Sequence, residues 1–144
     1  MLLGVDPVLT GRLLEALDAM GHTDSVVIAD AHFPAARLAD GLQVDLPGLS
    51  TPRVLRAICS VLPLDDAPSL DLMASPNPDL LDVQRELVEA AGLDAQGDGY
   101  QLVERFAFYD VAAKAELIIR TGETRIYGNA LVRKGVVPNT GEWA

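Results

Sequence analysis

Two kinds of apolar periodicity alternate along this chain, and that alternation limits its fold more than any other feature. Leu9, Leu13, Leu14, Leu17 and Met20 recur at helical spacing behind Asp6-Pro7, which reads as an N-cap and first helical residue, and Gly21 stops the run. Ser25-Val26-Val27-Ile28-Ala29 follows, a β-branched segment with the length of a buried strand. Thr51-Pro52 opens a second helix carrying Val54, Leu55, Ile58 and Leu62, and Pro63 ends it. Asn77-Pro78 opens a third, with Leu81, Gln84, Leu87, Val88 and Ala91 along one side until Gly92. Short strands are expected around Leu70 and Leu72 and over 100–104, 117–121 and 130–133, with a further helix over 106–114. Residues 35–49, with Gly41, Pro47 and Gly48, read as loop. Helices alternating with short strands predict an α/β fold, a three-layer α/β/α single domain over residues 1–144 with a central sheet. Periodicity leaves the strand order open.

Composition then removes several function classes. The 144 residues carry 11 Lys+Arg against 21 Asp+Glu, a formal charge of −10, and the basic residues form no stripe. A phosphate backbone or an anionic membrane surface is therefore not an expected partner. No apolar stretch approaches the roughly 20 residues that span a bilayer. The first seven residues hold an acid and a proline but no basic segment, so no secretory signal is expected and a cytoplasmic location is. One cysteine, Cys59, allows no intrachain disulfide and sits on an apolar helix face as an inert thiol.

Glycine-rich phosphate loops, a nucleophile elbow and zinc-spaced Cys/His clusters are all missing, which leaves polar chemistry without a cofactor. The densest polar cluster is Gly21-His22-Thr23-Asp24 with Asp30-Ala31-His32-Phe33-Pro34, flanking the first strand. His22, just past a helix, is either a general acid or base or a hydrogen-bonded helix-terminal residue. Asp30 stands at a strand end, where α/β folds place binding groups and where Asp also forms turns. Strand alternation would put Asp30 and His32 on one face, but no ligand spacing ties them to His22, so no metal is expected. Arg105 could equally be a surface ion-pair partner of Glu104 or Asp110, and Phe106, Phe108 and Tyr109 read as core or subunit contacts. Tyr127-Gly128-Asn129 reads as a tight turn.

Taken in order, these segments, with Arg105-Phe106-Ala107-Phe108-Tyr109, Thr121-Gly122-Glu123 and Lys134-Gly135-Val136, resemble the L-fucose mutarotase branch of the ribose-pyranase and fucose-mutarotase family. The resemblance runs from about residue 7 to residue 138, although residues 35–100 carry few of the motifs. It implies a cofactor-independent isomerase that interconverts the α and β anomers of a free monosaccharide, with L-fucose foremost. His22 matches the proton donor; Asp30, Arg105 and the turn Tyr127, Gly128 and Asn129 match sugar-binding positions. Ring opening then has His22 protonating the ring oxygen, Asp30 holding a hydroxyl or orienting the imidazole, and Tyr127 meeting the anomeric hydroxyl. Arg105 and Asn129 would orient the sugar, and His32 would serve site structure or a subunit contact. The resemblance further implies a ring-forming homo-oligomer, a decamer of two pentamers, with sites near subunit boundaries. D-ribose pyranase activity and a non-catalytic sugar-binding partner protein are the alternatives.

Overall fold

The computed structural model describes residues 1–141, so Trp143, part of the extension past the family motifs, lies outside the described residues. The elements are α1 (Gly11–Ala19), β1 (Ser25–Ala29), α2 (Ala35–Leu38), β2 (Leu42–Leu46), α3 (Thr51–Cys59), β3 (Leu70–Met73), α4 (Asp82–Ala90), β4 (Tyr100–Val103), α5 (Arg105–Ala112), β5 (Leu117–Thr121) and β6 (Ala130–Arg133). The strands form one mixed sheet in the order β2-β5-β1-β6-β3-β4. β1, β5 and β2 run parallel, β3 and β4 run parallel, and β6 is antiparallel to both of its neighbours, β1 and β3. All strands but β6 therefore point their carboxyl ends the same way.

Alternation along the strands divides the side chains between two layers. Val26, Ile28, Leu70, Leu72, Leu117, Ile119, Ala130 and Val132 face the main core, which α1, α3 and α4 cover with Leu13, Leu17, Val54, Leu55, Ile58, Val83 and Leu87. Val27, Ala29, Met73, Ile118 and Leu131 face the other way, under Ala35 of α2 and Phe108 and Ala112 of α5. That second layer is thin. Beyond the reach of α2 and α5 the same face carries the ion pairs Arg120–Asp45 and Arg133–Asp71.

Three sequence expectations move. The first helix begins at Gly11, capped by Thr10 Oγ1, because the Asp6 carboxylate is held instead by both guanidinium nitrogens of Arg53, at 2.8 and 2.9 Å. The third begins at Asp82 rather than at Asn77-Pro78, because Asn77 Oδ1 accepts from Asp79 N in a local turn and Gln84 Oε1 closes the helix start on Leu81 N. Within the expected loop 35–49 lie a four-residue helix and the edge strand β2, where Gly41 lets the backbone pass Glu116: a Cβ there would sit 2.4 Å from the Glu116 carbonyl oxygen.

Candidate active site

A cleft of about 200 Å³ opens where the carboxyl ends of β1 and β3 meet the start of β6. Its size, below the roughly 300–1,000 Å³ of drug-sized sites, suits one small molecule. The chain leaves β1 and β3 in opposite directions across the sheet, toward β2 and β4, and the crevice at such a switch point is where open α/β sheets bind ligands. Asp30, His32, Phe33, Met73, Arg105, Tyr109, Ile126, Tyr127 and Asn129 line it.

Asp30 is the fixed point. β1 ends at Ala29, so strand alternation does not orient Asp30 and His32; instead Asp30 Oδ1 accepts from His32 N at 3.0 Å and turns the chain. Asn129 grips the same residue twice, its Oδ1 accepting from Asp30 N at 2.7 Å and its Nδ2 donating to Asp30 Oδ2 at 2.9 Å. Asp30 is 4% and Asn129 3% exposed, so these bonds are shielded from water. Burial pushes the Asp30 carboxyl up from its ordinary range, and the bonds from His32 N and Asn129 oppose that rise. What results is a carboxylate held in one orientation beside open space.

The loop from Thr121 to Asn129 builds the neighbouring wall. Thr121 Oγ1 donates to the Ala29 carbonyl at the end of β1, and Ala31 N donates to the Glu123 carbonyl. Gly122 passes so close to the β2–α3 connection that a Cβ would lie 1.9 Å from the Pro47 carbonyl oxygen. The Glu123 carboxylate, 5% exposed as a residue, accepts from Arg125, whose guanidinium reaches on to Glu86 of α4; the Arg125 bond holds the Glu123 carboxyl low. Tyr127, in this braced loop, has φ +61°, a left-handed conformation that a bulky residue adopts only when its surroundings impose it. Arg105, set at the first turn of α5, makes no ion pair among the described residues and lies 4.6 Å over the Phe106 ring; Glu104 caps the helix instead. Phe33 and Tyr109 pack edge to face in the cleft lining, and the exposed Phe106 packs edge to face on Tyr109.

His22 lies elsewhere. It precedes β1 whereas Asp30 follows it, and five strand residues place about 17 Å between those ends. Its Nε2 is 3.0 Å from Asp65 Oδ1, and its side chain is 55% exposed. Thr23, the next residue, has φ +72°; with Tyr127 it completes the left-handed non-glycine residues among those described. Thus Asp30, Arg105, Tyr127 and Asn129 are brought together with His32, while one copy of the chain holds His22 apart. Sequence reading also passed over Met73, Tyr109 and Ile126 as cleft residues; only the pairing of β3 with β6, and the docking of α5 beside them, could have pointed to them.

A buried, fixed carboxylate facing a small cleft with an imidazole, two phenols and a guanidinium makes an α/β domain whose groups can donate to, accept from and exchange protons with a small polar molecule. Comparison gives the class a family. The chain matches the RbsD / FucU transport protein family over residues 3–137, and it belongs to that family. It is 40% identical to the fucose mutarotase of Danio rerio, across 96% of this chain and 95% of that one. Among solved structures, FucU from Bifidobacterium longum superposes with a TM-score of 0.85 at 34% identity, covering 94% of this chain and 99% of the other. The fucose mutarotase from Streptococcus pneumoniae in complex with L-fucose superposes with a TM-score of 0.82 at 31% identity, covering 95% and 100%.

Proposed function

We propose that this protein is a sugar mutarotase, an isomerase that interconverts the anomers of a free monosaccharide without a cofactor, with L-fucose as its substrate. The observation that carries the proposal is the Asp30 carboxylate, buried, clamped by Asn129 and facing a cleft of single-sugar size that also presents Arg105 and Tyr127. The likeness to fucose mutarotases supports the sugar.

The chemistry needs two proton movements. The anomeric hydroxyl gives its proton to water at the open cleft, the bond from C1 to the ring oxygen breaks with its electron pair left on that oxygen, and the ring oxygen takes up a proton from His22, giving an open-chain aldehyde. Rotation about the C1–C2 bond and reclosure, with both proton transfers reversed, deliver the other anomer, and no covalent intermediate with the protein forms. Asp30, Asn129 and Arg105 fix the sugar's hydroxyls and Tyr127 meets the anomeric hydroxyl, while Gly128 lets the turn that carries Tyr127 and Asn129 pack on Val83 and Glu123, where a Cβ would lie 3.0 and 3.1 Å from their side chains. His22 supplies the proton to the ring oxygen, a role that suits an imidazole near neutral pH and is worth about 10²–10⁴-fold.

Because one chain keeps His22 at the far end of β1, the complete site takes His22 from a second copy. Such a contact joins unlike surfaces, head to tail, and closes only as a ring. Exposed apolar side chains stand at both ends to be covered: Phe106 and Ile126, 60% and 63% exposed, at the cleft, and Val61, Val136 and Val137, 43%, 67% and 60% exposed, toward the other. The decamer of two pentamers fits this requirement, in a cytoplasmic enzyme. Magnetisation-transfer NMR between the anomers of L-fucose, with D-ribose alongside, tests the function, and light scattering tests the ring. Acceleration on fucose and a mass several times 15.3 kDa are expected. Acceleration on ribose alone would make it a pyranase; binding without acceleration would make it a sugar-binding partner protein.

A further inference from the structure

Helix α4 is bonded to two sides of the cleft. On one side Gln84, 1% exposed, donates from Nε2 to the Met73 carbonyl at the end of β3 at 2.8 Å, while its Oε1 accepts from Leu81 N at the start of the helix at 2.8 Å. On the other, Glu86 accepts the Arg125 guanidinium in a two-pronged pair, Nη1 to Oε1 at 3.0 Å and Nη2 to Oε2 at 2.8 Å. Met73, Ile126 and Tyr127 all line the cleft, so this one helix is tied to the backbone of β3 and to the loop that carries Tyr127.

Arg125 is wholly committed to this connection. Its Nε and Nη2 also donate to the two carboxylate oxygens of Glu123, at 2.9 Å each, and its backbone N–H closes on Glu123 Oε1 at 3.1 Å. The buried Glu123 carboxylate accepts as well from the Thr51 backbone N–H at the start of α3. A guanidinium suits this place, since its planar fork meets two carboxylates at once where an ammonium is a single point of charge. The Arg125–Glu86 pair is 42% and 48% exposed, and pairs of that exposure add little stability. What the pair adds is a fixed path for the backbone. Only Ile126 separates Arg125 from Tyr127, and Tyr127 sits at φ +61°, a conformation that a residue with a Cβ keeps only where its surroundings impose it.

From this geometry we infer that Arg125, anchored on Glu86 of α4, is a positioning residue for Tyr127: the clamp holds the left-handed turn that sets the Tyr127 hydroxyl in the cleft. The task of that hydroxyl, meeting the anomeric oxygen, rests on the mutarotase reading; the dependence of the Tyr127 backbone on the clamp does not. Charge shifts between the anomeric and the ring oxygen as the ring opens, so the partner of the anomeric oxygen has to be in place before the bond breaks. A displacement of about 1 Å there can cost about 10²-fold in rate. Without the clamp Tyr127 is drawn out of the left-handed region that its Cβ disfavours, and its hydroxyl moves with the backbone.

The test is a double-mutant cycle read by anomer exchange on L-fucose, together with ¹³C NMR of the full chain. Glu86→Ala removes the anchor and leaves Arg125 on Glu123; kcat should fall at least about tenfold, with KM changed less than about twofold and the urea midpoint close to that of the wild type. Glu86→Asp should recover part of the rate, and Arg125→Lys, which cannot span both carboxylates, should behave like Glu86→Ala. In a Tyr127→Phe background Glu86→Ala should cost less than about twofold, because a positioning residue loses its effect once the group it positions is gone. The Tyr127 ¹³Cα and ¹³Cβ shifts should carry the left-handed signature in the wild type and lose it in Glu86→Ala. An unchanged kcat in Glu86→Ala, losses that multiply in the double variant, or a left-handed signature kept without Glu86 overturns the inference. If the wild type accelerates no sugar, the mutarotase reading fails, and the Tyr127 shifts alone decide whether the clamp holds the turn.

Discussion

The two ends of β1 solve opposite problems. At its carboxyl end Asp30 is buried, bonded through both carboxylate oxygens, and walled by a loop that Glu123 and Arg125 brace against α4. At its amino end His22 is more than half exposed and has one side-chain partner, Asp65, itself at the surface. Yet each end carries one left-handed non-glycine residue, Tyr127 or Thr23. Binding groups can be preorganised inside one chain because burial strengthens their hydrogen bonds. On the function proposed above, a proton donor that enters another copy's cleft has to stay outside its own core, and the contrast teaches that exposure of a titratable residue is compatible with a role when the backbone beside it is held in a left-handed turn.

The largest effect should come from separating function from stability across that contrast. His22→Ala should lower kcat for anomer exchange by about 10²–10⁴-fold. Its urea midpoint should stay where the wild type's is, because little is buried there. A midpoint shift matching the activity loss would break the contrast. Leu13→Ala, on the helix leading to the same end but wholly buried, should do the reverse, costing about 2–5 kcal/mol in urea unfolding with kcat retained in the folded protein.

The carboxyl end should reveal itself through pH. The Glu123 carboxyl is held low by Arg125, so its contribution is fully present above the unfolded value of about 4.3 and is lost as pH falls through the folded value. Glu123→Gln should therefore cost about 1–3 kcal/mol at pH 7, and the gap to wild type should narrow below about pH 4 in paired denaturant titrations. A gap independent of pH would mean that packing, not charge, braces the loop. The smallest effect belongs to the strained turn: Thr23→Gly should gain about 0.5–1 kcal/mol, the relief of left-handed strain exceeding glycine's extra freedom in the unfolded chain. A loss of stability there would show that the Thr23 side chain supports the turn.

Much of the fold was legible in the chain because helix and strand patterns are local. The run Val26–Ala29, the spacing of Val54, Leu55 and Ile58, and the stop at Gly92 each reappear where expected. Boundaries failed where a polar side chain had a distant partner: Asp6 looked like a helix cap and is spent on Arg53, forty-seven positions away. The edge strand β2 escaped notice because its Leu42, Val44 and Leu46 are only partly covered and sit between breakers. In the cleft, Asp30 stood at a strand end, and Arg105, Tyr127 and Asn129 were marked as binding residues by the family resemblance, whereas Tyr109 read as core or a subunit contact and nothing in the sequence marked Met73.

The sequence by itself settled most of the elements that form and which side chains can carry protons, since these follow from spacing and from the chemistry of single residues; α2 and β2, inside the expected loop 35–49, it did not settle. Tertiary structure alone decided who meets whom. It set β6 beside β1 and β3, and so carried Asn129 across ninety-nine positions to grip Asp30. It also parted His22 from Asp30, eight residues apart in the chain, because a strand runs straight and whatever flanks it stands at opposite edges of the sheet.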